Sequence, residues 1–246
     1  MLERHLGNAI RCISLIKIEA MRLLCLIIFV GIIGLSSCKP RKAAVSSDSE
    51  VVATATAEEV NLWALGIDTT QAYGTGLQKG DVVPMFEGMD QFKQTVNTNS
   101  LLEEGDLVMV FFRGQWCGYC TQHLTSLQDS LEMIQGKGAN VIAITPESFE
   151  SSILSASKAK VKFPIVADLP KFILDGYQVS FAVNEDYQDK LQQYAKIDLE
   201  TSQPKAGNSL PVPAVYIVGS DKRVKFSFFD PDYSKRLSVR EILEQL

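Results

Sequence analysis

An α/β fold, with a central mixed sheet flanked by helices, follows from three patterns in the 246-residue sequence. First, the apolar runs 107–112 and 141–144 have the uninterrupted character of strands buried on both faces. Second, 117–135 lies between them and reads as an amphipathic helix. Cys120, Leu124, Leu127, Leu131 and Ile134 share one face, and Gly136 and Gly138 close it. Third, Pro213 opens a strand at 214–218, Gly219-Ser220-Asp221 turns the chain, and 224–229 returns as the second arm of a hairpin. A last helix starts at Ser238, where Glu241 completes a capping box. Strand–helix–strand followed by hairpin–helix is an α/β layer arrangement. Between these parts, Pro146 stops the second strand and 147–158 is predicted helical, with Phe149, Ile153 and Ala156 aligned. A short strand is expected at 163–166, and a helix at 186–195 with Tyr187, Leu191 and Tyr194 on one side. Residues 175–210 read as an insert.

Trp116-Cys117-Gly118-Tyr119-Cys120 follows the first strand directly and opens the helix. A Cys-x-x-Cys in that context points to redox chemistry. Three residues make nearly one helical turn, so both sulfurs come close enough to open and close a disulfide. Cys117 then stands at the helix N-terminus, where unpaired N–H groups and the helix dipole favour the thiolate, which is the nucleophile. A zinc site needs two such pairs, and this chain has one. A static structural disulfide is the other alternative at this spacing. Cys117 is the candidate attacking thiolate, and Cys120, on the apolar face, the candidate resolving thiol.

The remaining cysteines are Cys12, Cys25 and Cys38. Met21-Arg22 precedes the apolar stretch 23–35, which is too short for a spanning helix and suits a signal-peptide core. Arg11, Lys17, Glu19 and Arg22 interrupt any longer span from Ile10. The stretch ends in Leu35-Ser36-Ser37-Cys38, which resembles the lipobox of bacterial lipoproteins. That resemblance implies a signal peptide over 1–37, cleavage before Cys38, acylation of Cys38, and a membrane anchor holding the protein in the cell envelope, facing the periplasm. More than one acyl chain gives stable anchoring. Residues 38–57 would then carry the lipid and a flexible tether, leaving one domain over 58–246. Residues 1–37 hold four of the 24 basic and two of the 29 acidic residues, so the mature balance is 20 against 27, a net charge of −7. That argues against nucleic acid as a partner.

Residues 80–246 resemble the thioredoxin superfamily, and more narrowly its peroxiredoxin-like branch of alkyl hydroperoxide reductase/thiol-specific antioxidant type. Gly80-Asp81-Val82-Val83-Pro84-Met85-Phe86 is similar to the family's opening Gly-Asp-x-x-Pro-x-Phe. Phe112-Arg113-Gly114-Gln115-Trp116-Cys117-Gly118-Tyr119-Cys120 resembles Tyr-Arg-Gly-x-Trp-Cys-Pro-Tyr-Cys, and Leu210-Pro211-Val212-Pro213-Ala214 resembles Leu-Pro-Val-Pro-Ala-Thr. The resemblance implies a thioredoxin-like fold in its peroxiredoxin-like variant and a cis Pro213. It would place the Val212 backbone beside Cys117, able to pair with an incoming peptide.

Departures from the family pattern bear on the reaction. Peroxiredoxins place a Thr three residues before the reactive cysteine, where this chain has Gly114. Thioredoxin places a buried Asp six residues before it, where this chain has Phe111. Arg113 and Arg236 are each able to favour the Cys117 thiolate or bind a peroxide oxygen; the alternative is an ordinary surface ion pair, favoured for Arg236. Trp116 is expected to flank and shield the sulfur, and Gly118 and Tyr119 to tune helix entry and potential. His123 is expected at a surface or core edge, with proton transfer to Cys120 as the alternative. The expected activity is thiol–disulfide exchange with an antioxidant role. A thiol-dependent peroxidase and a non-catalytic binding module are the alternatives. The partner is a thiol–disulfide protein or a peroxide, and no metal or bound cofactor is needed, because another thiol protein supplies electrons.

Overall fold

The computed structural model describes residues 60–168 and 170–246. The signal peptide, the lipidated Cys38 and the tether expected over 1–57 lie outside the described residues. Five strands form the central sheet: β3 (Asp106–Phe111), β4 (Ala139–Thr145), β5 (Ile165–Ala167), β8 (Ala214–Val218) and β9 (Val224–Phe229). Their order is β5-β4-β3-β8-β9. β4 runs parallel to β3 and β5, whereas β8 runs antiparallel to β3 and β9, so the sheet is mixed, as expected. Alternation along β3 explains its unbroken apolar sequence. Val108 and Val110 face one core with Leu124, Leu127 and Ile242, while Leu107, Met109 and Phe111 face a second core with Leu102, Leu174 and Tyr177. With a core on each face, every position of the strand from Leu107 to Phe111 is buried. Each fully buried Leu in these layers contributes about 1.5–3 kcal/mol.

The helix opening at the cysteines is shorter than expected. It runs as α2 (Gly118–Asp129), and a separate turn of helix, α3 (Leu131–Gly136), follows. Ser130 leaves the helical region (φ −111°, ψ 8°), and its N–H donates to the carbonyl of Leu127 instead of the one a full turn back. Asp129-Ser130 is a pair of weak helix formers, and the break falls there. The next helix, α4 (Phe149–Ala159), is capped by Ser148 and buries Ser152, Ser155, Ala156 and Ala159. Ile153, expected on its inner face, is exposed; small residues let this helix lie close to the sheet. The last helix, α8 (Val239–Gln245), begins with the expected Ser238–Glu241 capping box.

Several elements have no counterpart in the sequence reading. A hairpin of β1 (Glu87–Met89) and β2 (Thr95–Asn97) leads into α1 (Thr98–Glu104). After α5 (Phe172–Gly176), the insert folds into β6 (Ser180–Ala182), α6 (Glu185–Lys190), α7 (Leu199–Ser202) and β7 (Ser209–Pro211). β6 pairs with β7, and a small core of Ile67, Phe181, Val183, Leu191, Leu199, Leu210 and Val212 forms beneath them. The helix expected over 186–195 changes to a π-helical turn at Leu191–Ala195. That wider turn rotates the following residues, so Leu191 stays buried and Tyr194 is exposed.

Candidate active site

The site lies where β3 ends and α2 begins. Cys117 is the N-cap of α2, in extended conformation, and its Sγ accepts the N–H of Cys120 at 3.3 Å. Cys117 and Cys120 are joined by a disulfide with Cα atoms 5.2 Å apart. Cys117 keeps 6% of its surface exposed and Cys120 1%, so an attacking group meets Cys117 first. Gly118 and Tyr119 form the exposed lip of the helix. Trp116, half-buried, packs against both the cysteine core and the core of the insert.

Arg113 is no surface ion-pair residue. It is 1% exposed, and three rings surround its guanidinium: Tyr233 at 4.4 Å, Tyr187 at 5.0 Å and Trp116 at 5.1 Å. Nε and Nη2 have no hydrogen-bond partner, and burial lowers its pKa. The rings replace part of the lost hydration by cation–π attraction. Tyr187 reaches the site from α6, so the insert forms one wall of it. Tyr233 comes from the segment after β9 and also meets Tyr119 and Tyr187 edge to face.

Gly114 is fixed by its surroundings. A Cβ at this position would stand 2.6 Å from Glu147 Oε1 and 2.7 Å from Trp116 Nε1. The hydroxyl that the family pattern carries here is therefore sterically incompatible with Glu147. Glu147 escaped the sequence reading, although it follows β4 at the carboxyl edge of the sheet, where sites of α/β folds gather. It is fully buried; Oε2 accepts the N–H of Gln115 at 2.9 Å and the Ser155 hydroxyl at 3.3 Å, while Oε1 has no partner. Burial pushes its pKa up to about 7, against the opposing pull of the Gln115 and Ser155 bonds and of Lys158. Lys158 Nζ in turn donates to the Gln115 carbonyl at 3.1 Å, so the loop before Cys117 is held from both sides. Phe111 points to the opposite core, among Tyr177 and Tyr216.

On the other side of the pair, His123 is buried. Its Nε2 stands 3.0 Å from the Leu237 carbonyl, tying α2 to the C-terminal segment. Burial and the charge of Arg236 push its pKa down to about 4, so it is neutral at pH 7. Arg236, expected at the surface, instead directs Nη2 at Cys120 Sγ, 3.4 Å away. A cleft of about 690 Å³ opens beside it, walled by Tyr119, Gln122, Ser126 and Val239. Val212 and Pro213 are buried. The N–H of Val212 donates to the Val179 carbonyl at 2.8 Å, so of the backbone expected to pair with an incoming peptide the donor is used within the fold.

The AhpC/TSA family model matches residues 79–227. Among curated proteins, the chain is similar to 1-Cys peroxiredoxin PER1 of Zea mays, 24% identical over 183 residues, covering 68% of this chain and 71% of that one. It is also similar to the thiol-disulfide oxidoreductase ResA of Bacillus subtilis, 25% identical over 125 residues, covering 49% of this chain and 69% of that one. Among solved structures, the peroxidoxin BcpB of Mycobacterium tuberculosis superposes with a TM-score of 0.53 at 16% identity, covering 69% of this chain and 96% of that one. The C47S mutant of Xylella fastidiosa PrxQ gives a TM-score of 0.53 at 12% identity, covering 70% and 96%. These superpositions identify the sheet and its helices as the thioredoxin-like fold of peroxiredoxins.

Proposed function

From the premise that the chain belongs to the AhpC/TSA family and is an oxidoreductase enzyme, we propose that it is a thiol–disulfide oxidoreductase with an antioxidant role, working through the Cys-Gly-Tyr-Cys pair. The observation that carries this reading is the Cys117–Cys120 disulfide at the N-cap of α2. In the reduced enzyme, the Cys117 thiolate attacks a disulfide sulfur of the partner. An S–S bond forms to Cys117, and the partner's other sulfur leaves as thiolate. The Cys120 thiolate then attacks Cys117 Sγ, closing the intramolecular disulfide and releasing the partner's second thiolate. The partner gains two electrons and the enzyme loses two. The helix N-terminus favours the thiolate of Cys117 in the first step.

A second reading is a thiol-dependent peroxidase, and the relatives named 1-Cys peroxiredoxins favour it. There the Cys117 thiolate takes the terminal peroxide oxygen, the O–O bond breaks, and the other oxygen leaves as hydroxide or alkoxide that is protonated to water or an alcohol; Cys120 then attacks the resulting sulfenic acid, closing the disulfide and releasing water. Gly114, which has no room for a hydroxyl, favours exchange. Stopped-flow fluorescence of the reduced protein separates the two readings, since Trp116 packs against the cysteine core. Rapid oxidation by a protein disulfide with slow oxidation by hydrogen peroxide supports exchange. The reverse order, lost in Cys117→Ser, overturns it in favour of the peroxidase.

The same proposal sets the enzyme on the periplasmic side of a bacterial membrane, anchored through lipid on Cys38. The Leu35-Ser36-Ser37-Cys38 sequence after the apolar stretch supports it. Incorporation of labelled palmitate that disappears in Cys38→Ala is the expected result; equal labelling of both proteins refutes the anchor.

A further inference from the structure

Arg236 contributes nothing to the exchange steps written above, yet it touches one of the reacting sulfurs. Its Nη1 donates to the carbonyls of Tyr233 and Lys235, which fixes the guanidinium by backbone rather than by a carboxylate. It takes part in none of the ion pairs found among the described residues. Nη2 is left pointing at Cys120 Sγ. The ionisable groups that act on it or answer to it are Asp232 on its own segment, Arg113 from the end of β3, and His123 on α2. Burial and the Arg113 charge lower its pKa to about 10, which leaves it a cation at neutral pH. His123, being neutral there, does not compete for negative charge on Cys120.

We infer that Arg236 is a catalytic residue of the reductive half-reaction, the cation that receives the negative charge on Cys120 as the disulfide opens. The inference rests on the exchange reading above. A thiolate of a dithiol donor attacks Cys117 Sγ, the more exposed sulfur, and a new S–S bond forms there. The Cys117–Cys120 bond breaks, and its electron pair stays on Cys120 Sγ beside the guanidinium, with no proton required at that instant. The donor's second thiolate then attacks the donor sulfur of the mixed disulfide and releases Cys117 as thiolate. The donor leaves with two electrons fewer, as a disulfide, and the enzyme holds them as two thiolates. The two charges rest on separate supports: the N–H groups of α2 for Cys117, and Arg236 for Cys120. Leaving-group stability sets the speed of such a displacement, because thiols of lower pKa leave faster.

The test uses the full-length protein with Cys12, Cys25 and Cys38 replaced by alanine, so that only the pair reacts. Reduction of its disulfide by dithiothreitol is followed at pH 7 for the parent, for Arg236→Gln, and for Arg240→Gln, which removes the same charge from exposed surface. The expected result is a reduction rate about tenfold lower in Arg236→Gln, as a leaving thiol roughly two pKa units worse would give, and unchanged in Arg240→Gln. In a Cys117→Ser background, thiolate absorbance at 240 nm should titrate at higher pH once Arg236 is replaced. Arg236→Lys, which keeps the charge on a different stem, should fall between parent and Gln, and it serves as the probe should Arg236→Gln fail to fold. Equal rates in the parent and the Arg236 variants, with equal titrations, overturn the role of Arg236 and leave the exchange reading standing. A parent disulfide that dithiothreitol does not reduce faster than a free linear disulfide overturns both.

Discussion

The two walls of the redox pair are built on opposite principles. The wall before Cys117 is sealed: Arg113 sits inside three rings, Gly114 is pressed against Glu147, and three of its polar side chains, Arg113, Trp116 and Glu147, carry buried atoms without partners. The wall beyond Cys120 opens on a cleft and is satisfied, with His123 held by the Leu237 carbonyl and Arg236 by Tyr233 and Lys235. Each wall contains one group that burial holds in its neutral form, and the two displacements run in opposite senses. Glu147 is an acid kept neutral up to about pH 7; His123 is a base kept neutral down to about pH 4. Between those limits the buried surroundings of the disulfide carry only arginine charge. The difference teaches that charge at this site is rationed by burial on both sides, with the cations fixed and everything else held neutral.

The largest expected effect comes from breaking the sealed wall. Gly114→Thr drives a side chain into the Glu147 carboxyl and the Trp116 ring at a backbone φ of +154°. Overpacking and backbone strain together should cost roughly 3–4 kcal/mol, read as a lower denaturant midpoint. The added hydroxyl should bring no gain in peroxide reactivity, because the loop that would aim it has moved.

Next comes a pair of substitutions that sharpens the contrast. Glu147 has a folded pKa raised from 4.5 to about 7, so its contribution to stability is complete below about pH 4.5 and is lost as pH rises to about 7. His123 has a folded pKa lowered from 6.5 to about 4, so its contribution is complete above about pH 6.5 and is lost as pH falls to about 4. Each amounts to about 3 kcal/mol at most. The slopes oppose one another over the shared range, from about pH 4.5 to 6.5. Unfolding free energies measured across it should be nearly flat in the parent with respect to these two groups. Glu147→Gln should unmask a stability that rises with pH, and His123→Gln one that falls. Parallel curves for all three proteins would mean that burial does not control either group.

A smaller effect is expected where the insert meets the sealed wall. Tyr187→Leu removes one ring from Arg113 and should cost about 1 kcal/mol. A double-mutant cycle with Arg113→Met should return most of that cost as coupling energy.

The sheet and the helix that carries the cysteines were legible in the sequence because their signals are local. Val108 and Leu107 are both apolar since each faces a core, and Ser238 with Glu241 announces a cap within four residues. The cysteine pair was legible for the same reason, as spacing within one turn. The rest of the site depends on contacts between distant stretches. Arg113 looks like a surface cation until Tyr187 and Tyr233 arrive, and Arg236 looks like one until α2 places Cys120 against it. Glu147 reads as an ordinary first-turn acid, and only the tertiary bond to the Gln115 N–H reveals its position. The short strands β1, β2, β6 and β7 were missed because three residues are too few to display a period. The π-helical turn at Leu191–Ala195 keeps helical composition while shifting its phase, so Tyr194 lies exposed, off the side that regular helical spacing predicts.

The aromatic enclosure of Arg113 also has a calendar. Its rings come from Trp116, Tyr187 and Tyr233, three stretches that a ribosome produces in that order. A growing chain therefore displays Cys117 and Cys120 well before the last two rings exist to frame them. Until Tyr233 emerges, Arg113 lacks the nearest of its three rings. The charge that stands one residue before Gly114 is thus enclosed by partners made after the cysteines themselves, so the pair is in place before its cationic neighbour is shielded.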